Sequence, residues 1–291
     1  MKVYLITSAK MEELYIEDWI NYHLSLGVDK IIINDNNDDE YPYKLKDILK
    51  KYIESDKIII EYYYKYHTLE NNRREKELGL IYTWLYNKYK NEFDWALKID
   101  IDEYLEIPET DNNLKKFLSL DKFKNYDSIV LSWTKKGISK NLPEESNLLY
   151  FPIPVQERCH NIEYVNALWF KCIIKSINED VVISHHIPYF SENRMCLTNG
   201  KSVQEALDNK FCNYYEKYGI TSLYVNFNNA LKLSKYAYLS HYRELSYEEN
   251  FYKRIKIYDK LNNDDYEWYK RNYKSRNLYK IYLNSKNKKC K

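Results

Sequence analysis

Along the first third of the chain, apolar positions alternate between two periods. Residues 3–7 (VYLIT) are β-branched and aromatic, the composition of a strand. Tyr15, Ile16, Trp19, Ile20, His23 and Leu24 then recur at three- and four-residue spacing, which predicts an amphipathic helix stopped at Gly27. KIIIN at 30–34 predicts a second strand, ended by the polar run DNNDDE. Leu45, Ile48, Leu49, Tyr52 and Ile53 form a second helical stripe, and KIIIEYYY at 57–64 a third strand. Leu78, Ile81, Tyr82, Leu85 and Tyr89 mark a third helix, and WALKID at 95–100 a fourth strand. Strands alternating with helices of this length predict an α/β fold: a mostly parallel sheet with helices on both faces. Ligands of such sheets bind outside the carboxyl ends of the strands. Three polar clusters reach that rim: TSAK after the first strand, DNNDDE after the second, and Asp100 with Asp102 after the fourth.

The pattern is less regular further on. YDSIVLSW, LWFKCIIKS and VVISHH read as strands, and SVQEALDNKFCNYYEKY as a helix. Ser246 followed by Glu249 forms a capping box ahead of Phe251, Ile255 and Tyr258. No internal repeat or low-complexity linker divides the chain, so one continuous domain is expected over 1–245, with 246–291 as a C-terminal helical extension.

Composition narrows the class. The 291 residues are 44% apolar, enough for a substantial core, and carry 45 basic against 43 acidic side chains, net +2. That balance argues against nucleic acid as a partner, because such binders rely on a basic stripe. The five cysteines show no paired spacing, so neither a disulfide framework nor a zinc cluster follows, and a reducing compartment is expected. The apolar run at the N-terminus is too short for a secretion signal, and no stretch is long enough to span a bilayer. The expectation is a cytoplasmic protein. The terminal NLYKIYLNSKNKKCK mixes aromatics with lysines and fits either peripheral contact with an anionic membrane or a solvated tail.

The chemistry concentrates in DWALKIDIDEYLEI, residues 94–107, where three acids follow a buried strand. Along a strand side chains alternate between faces, so Asp100 and Asp102 are expected to project to one side, where like charges repel. A divalent cation resolves the repulsion, since Mg²⁺ and Mn²⁺ prefer carboxylate oxygens and commonly bind phosphate as well. The alternative is a pair of solvated acids in a strand-end loop.

At this point the residues carry a resemblance. KMEELYIEDWINYHLSLGVDKIIINDNNDDE resembles the opening of metal-dependent glycosyltransferases of the family 2-like group with the GT-A fold, and of the related family 92 proteins. The matching positions are Lys10, Glu12, Asp18, Trp19, Ile20, Tyr22, His23, Leu26, Gly27, Val28, Asp35 and Asn36. DWALKIDIDEYLEI is similar to their Asp-Trp to Asp-x-Asp-Glu-Phe-Leu block. WTKKG, KCIIKS, SHH and HYRELSYEENFYKR follow in the same order, so the likeness covers nearly the whole chain. Met11, Asp18, Asp38 and Lys140 depart from the pattern, which has Asn, Glu, Ser and Gly there.

The resemblance implies transfer of a sugar from a nucleotide-diphosphate donor, in the first instance a UDP-sugar, to a hydroxyl of a glycan or glycoconjugate acceptor. Residues 1–110 would be the nucleotide-sugar-binding half and 111–245 the acceptor half. Asp100, Asp102 and His241 would hold Mn²⁺ or Mg²⁺, with Asp100 also reaching the ribose. Thr7, Lys10, Glu12, Asp35 and Asn36 would meet the base and ribose, and Arg73 and Arg74 the phosphates. Helix-surface solvation accounts for the two arginines equally well. An inverting reaction needs a carboxylate to accept the acceptor proton. Glu157 matches an acid of the corresponding block, although a surface ion pair with Arg158 explains it too. Trp133, Gly137, His185 and His186 would line the acceptor rim, and His23 and His67 are read as structural. The rival readings are a nucleotidyltransferase, disfavoured because TSAKMEELY lacks the usual phosphate-binding glycines, and a catalytically inactive nucleotide-sugar-binding protein.

Overall fold

The computed structural model describes residues 1–10, 12–13, 15–37, 39, 41–63, 71–135, 168–217 and 220–241. The chain divides into two compact units, Met1–Lys136 with Ile162–Tyr242, and Gly137–Asn161 with Arg243–Lys291. The second lies outside the described residues, as do the expected capping box at Ser246 and the basic C-terminal segment. No helix among the described residues is long and apolar enough to cross a membrane.

The first unit opens with strand β1 (Val3–Ala9), helix α1 (Ile16–Ser25) and strand β2 (Lys30–Asp35). The second helical stripe forms two short helices, α2 (Leu45–Ile48) and α3 (Lys50–Glu54), before strand β3 (Ile58–Glu61). Helix α4 (Asn71–Tyr89) leads into β4 (Trp95–Lys98), and β5 (Glu103–Glu106) follows after a four-residue turn. After α5 (Leu114–Leu118) come two long central strands, β6 (Ser128–Lys135) and β7 (Leu168–Lys175). The rest comprises β8 (Met195–Leu197), α6 (Val203–Asp208), β9 (Cys212–Lys217), β10 (Ile220–Val225), α7 (Phe227–Ser234) and β11 (Tyr238–His241).

The strands join in the order β3-β2-β1-β4-β7-β6-β11-β5, with β8 beside β6 and the β9–β10 hairpin beside β7. The first four are mutually parallel, as the βα alternation predicts. Beyond β4 the sheet becomes mixed: β7 runs antiparallel to both β4 and β6. One face of the parallel half is covered by α4. Its Leu78, Ile81, Tyr82, Leu85, Tyr86 and Tyr89 pack on Tyr4, Ile6, Ile32, Ala96, Cys172 and Ile174. Gly27 ends α1 with φ of 106°, a left-handed turn that glycine adopts without a Cβ penalty.

Two readings from the pattern give way. The stretch 202–218 is helical only over Val203–Asp208, which Ser202 caps by accepting from the Glu205 N–H at 3.0 Å. Lys210 then turns left-handed at φ 54°, and β9 carries Cys212 into the core beside Leu223 and Val225. Its partner β10 follows directly in sequence, with paired residues no more than thirteen apart, so a local hairpin takes the hydrogen bonds that a longer helix would have used. The stretch VVISHH is not a strand; only an isolated bridge, Ile183 to Pro188, forms there. Side chains of α4 satisfy its backbone instead. The Val181 N–H donates to Asn87 Oδ1 at 3.0 Å, and the Ile183 N–H to Thr83 Oγ1 at 2.9 Å.

Candidate active site

Strand β4 stops at Lys98, so Asp100 and Asp102 sit in a turn and not on a continuous strand. Strand alternation therefore does not govern how they face. The turn closes on itself: the Glu103 N–H donates to the Asp100 carbonyl at 3.1 Å, and the Asp100 N–H to Glu103 Oε2 at 2.8 Å. Ile99 and Ile101 are buried, which anchors the turn from below. Helix α1 holds the departing strand. Trp19 Nε1–H donates to the Glu103 carbonyl and Tyr22 O–H to the Leu105 carbonyl, each at 2.8 Å.

Strand β11 pairs antiparallel to β5 with His241 opposite Glu103, bringing the imidazole to the acids. His241 Nε2 lies 3.4 Å from Asp102 Oδ2. One ligand atom each from Asp102, Glu103 and His241 fall within 4.8 Å of one another, the spread of a metal-binding cluster. Glu103 Oε1 and His241 Nδ1 are buried with no hydrogen-bond partner among the described residues. Two carboxylates and an imidazole are a donor set that a divalent cation such as Mn²⁺ accepts, so the residues fit that group. The cluster pairs Asp102 with His241 as the resemblance implies, and it takes in Glu103 where Asp100 was expected.

Asp100 is engaged elsewhere. Its Oδ2 is 2.6 Å from the Lys171 ammonium, and its Oδ1 accepts from Tyr82 O–H at 2.6 Å. Lys171 is fully buried in β7 and lies 3.7 Å from Glu103 Oε1. A second buried lysine, Lys98, donates to the His185 carbonyl and sits 4.3 Å from the centre of the Tyr82 ring. The charges divide accordingly. Burial would raise the Asp100 carboxyl, but the charge of Lys171, with that of Lys98, holds it well below the usual carboxylate range. Burial pushes Glu103 up to about 7. Burial and the Lys171 charge pull Lys98 down to about 7, whereas Asp100 and Glu103 overcome the burial of Lys171 and hold it above the ordinary lysine range. Burial opposes charge on His241, yet Asp102 beside it leaves its pKa raised.

Aromatic rings continue the site. Trp133 is 4.3 Å from the His241 ring and 5.7 Å from His186. His186 stacks on Trp169 at 5.4 Å and 24°, and His185 meets His186 edge-on at 4.6 Å. Burial lowers the pKa of both histidines well below the usual value, so they act there as neutral rings. Trp133, His185, His186 and His241 thus form one connected group. His23 is elsewhere, on the buried face of α1 with Nδ1 2.8 Å from the Trp19 carbonyl, as a structural reading expects.

The expected donor residues lie at the carboxyl ends of the parallel strands. Thr7 is buried near the end of β1, and Asp35 and Asn36 are buried at the end of β2, with Ala9 and Asp35 in register. Asp35 Oδ1 accepts from the Asn37 N–H at 2.9 Å, and the Asn36 N–H donates to the Ala9 carbonyl at 2.8 Å. Lys10 and Glu12 are half-buried just beyond β1. Arg73 and Arg74 lie near the start of α4, with side chains outside the described residues; Gly137, Glu157 and His67 lie outside them entirely. Lys98 and Lys171 carry no role in the sequence reading, and Tyr82 enters it only as part of a helical stripe. The available signal was a lysine closing one apolar strand, WALK, and another inside a second, LWFKCIIK.

Residues 7–276 match the family described as glycosyltransferase family 92, and the chain belongs to that family. No curated protein matches the sequence significantly. Among solved structures, the chain is similar to TarS of S. aureus, with 17% identity, 60% of this chain and 28% of that one covered, and a TM-score of 0.34. A TarS structure of residues 1–349 gives 16% identity, 60% and 47% coverage, and a TM-score of 0.32. A glycosyltransferase involved in the glycosylation of the major capsid of PBCV-1 gives 12% identity, 46% and 52% coverage, and a TM-score of 0.26. The chain thus spans about half or less of the length of these structures, and its family membership rests on the sequence match.

Proposed function

We propose that this chain transfers a glycosyl group from a nucleotide-diphosphate sugar, in the first instance a UDP-sugar, to a hydroxyl of a glycan acceptor with inversion. The observation that supports this most directly is the convergence of Asp102, Glu103 and His241 within 4.8 Å beside the strand ends, in a chain of glycosyltransferase family 92. Asp102, His241 and Glu103 would hold Mn²⁺ or Mg²⁺, which when bound supplies positive charge to the departing diphosphate.

The chain's own residues do the rest. Thr7, Lys10, Glu12, Asp35 and Asn36, at the ends of β1 and β2, bind the base and ribose. Arg73 and Arg74 pair with phosphate oxygens. Trp133, with His185 and His186 beside it, packs the acceptor side and excludes water from the reacting centre. Glu157 takes the acceptor proton. In this reading residues 1–110 serve the donor and 111–245 the acceptor.

Calorimetric titration of UDP, GDP and CMP, with and without Mn²⁺, tests the proposal on the wild type and on Asp102→Ala. One nucleotide binding only with metal, and not to the variant, is the expected result. Binding of none of the three under any condition would make the acids structural and overturn the reading.

A further inference from the structure

We propose that Lys171 is a positioning residue: its ammonium holds Asp100 as an internal partner and so reserves Asp102 and His241 for the divalent cation. The inference rests on the metal reading above and gives a role to a residue that reading leaves idle.

Asp100, Asp102 and Glu103 place three carboxylates within four residues. A single exogenous cation is one answer to their repulsion. This fold supplies a second cation from within. Lys171 comes from β7, the strand between β4 and β6, and its side chain is fully buried. Its Nζ is 2.6 Å from Asp100 Oδ2, 3.7 Å from Glu103 Oε1 and 3.4 Å from the His185 carbonyl. A buried ammonium is costly unless it is paired, so its presence here is explained by the acids it meets.

The pairing is directional. Asp100 Oδ2 faces the ammonium and Oδ1 accepts from Tyr82 O–H at 2.6 Å, so both oxygens are engaged by the protein. Any divalent cation on Oδ2 would lie against the ammonium and be repelled. A neutral hydroxyl would not be, because each carboxylate oxygen keeps a second lone pair. Asp102 Oδ2 lies 3.4 Å from His241 Nε2. Lys171 therefore distinguishes the acids by distance: Asp100 is held at 2.6 Å, whereas Glu103 is 3.7 Å away and stays with Asp102 in the metal cluster.

A purely structural lysine and a positioning lysine predict opposite changes in metal affinity. Mn²⁺ dissociation constants, read by electron paramagnetic resonance of the free ion, would be measured for the wild type, Lys171→Met, Lys171→Arg and the double variant Lys171→Met/Asp100→Asn. Circular dichroism would establish that each is folded. Removing the ammonium frees a third carboxylate for the ion, so Lys171→Met should bind Mn²⁺ about tenfold more tightly, since ligand charge count sets such affinities. Lys171→Arg keeps the charge and should stay within about threefold of the wild type. The double variant removes both members of the pair, leaves no lone buried charge, and should also bind within about threefold of the wild type. Binding by folded Lys171→Met that is no tighter than wild type overturns the proposal. If Lys171→Met does not fold, the double variant decides: loss of Mn²⁺ binding there makes Asp100 a ligand and overturns it equally. A wild type that binds no Mn²⁺ refutes the metal reading itself, and with it the role given to Lys171.

Discussion

His241 closes β11 with its Nε2 3.4 Å from Asp102 Oδ2, in the turn between β4 and β5. The contact exists because β11 pairs with β5 in a register that sets His241 opposite Glu103. If the two side chains share a cation, either His241→Ala or Asp102→Asn should weaken Mn²⁺ binding by at least about tenfold, with little change in melting temperature. Calorimetry and thermal denaturation of the same samples would check this. A large loss of stability with unchanged metal affinity would show the pair to be structural.

Acid should destabilise the protein through His23. Its Nδ1 faces the Trp19 carbonyl at 2.8 Å and its Nε2 accepts from the Leu105 N–H at 3.4 Å, an arrangement only the neutral ring satisfies. Burial lowers its pKa from 6.5 to about 3. The unfolded chain therefore binds more protons between these values, and stability is lost as pH falls from about 6.5 through about 3. Between pH 7 and pH 4 this amounts to on the order of 3 kcal/mol. Urea unfolding across that range should show the loss in the wild type and a smaller slope in His23→Gln.

The Trp19→Phe substitution keeps most of the packing under the site but removes the indole N–H that reaches the Glu103 carbonyl. The carbonyl, buried beside the acids, would lose that donor, at a cost of about 1 to 2 kcal/mol. Nucleotide or metal affinity should fall with it, because the bond fixes where β5 leaves the turn. Denaturant titration measures the first effect and calorimetry the second.

Gly79 faces the segment that carries His185. A Cβ at this position would meet the Ile183 carbonyl oxygen at 3.0 Å, while alanine favours a helix by about 1 kcal/mol over glycine. Thr83 Oγ1 holds the Ile183 N–H at 2.9 Å, so the segment has little room to give. Gly79→Ala should therefore lower stability by about 1 kcal/mol despite its better helix propensity. A rise in melting temperature would show that the segment can move.

The local hydrophobic period was enough to read β1, α1, β2, β3, α4 and β4 from the chain, since a half-buried helix and a buried strand each impose a repeat on their own residues. It was also enough to mark Asp100, Asp102 and Glu103 as anomalous, because acids at the tip of an apolar strand need a partner. The pattern did not contain the partner. Whether 202–218 stays helical depends on a hairpin with β10, and whether 181–186 forms a strand depends on side chains of α4. The same holds at the site. Lys171 reaches Asp100 because β7 enters the sheet next to β4, and His241 reaches Asp102 because β11 lies against β5. Periodicity is a property of each segment against a generic interior. Which acid takes which cation is a property of strand order and register, and these emerge only when distant segments compete for the same backbone hydrogen bonds.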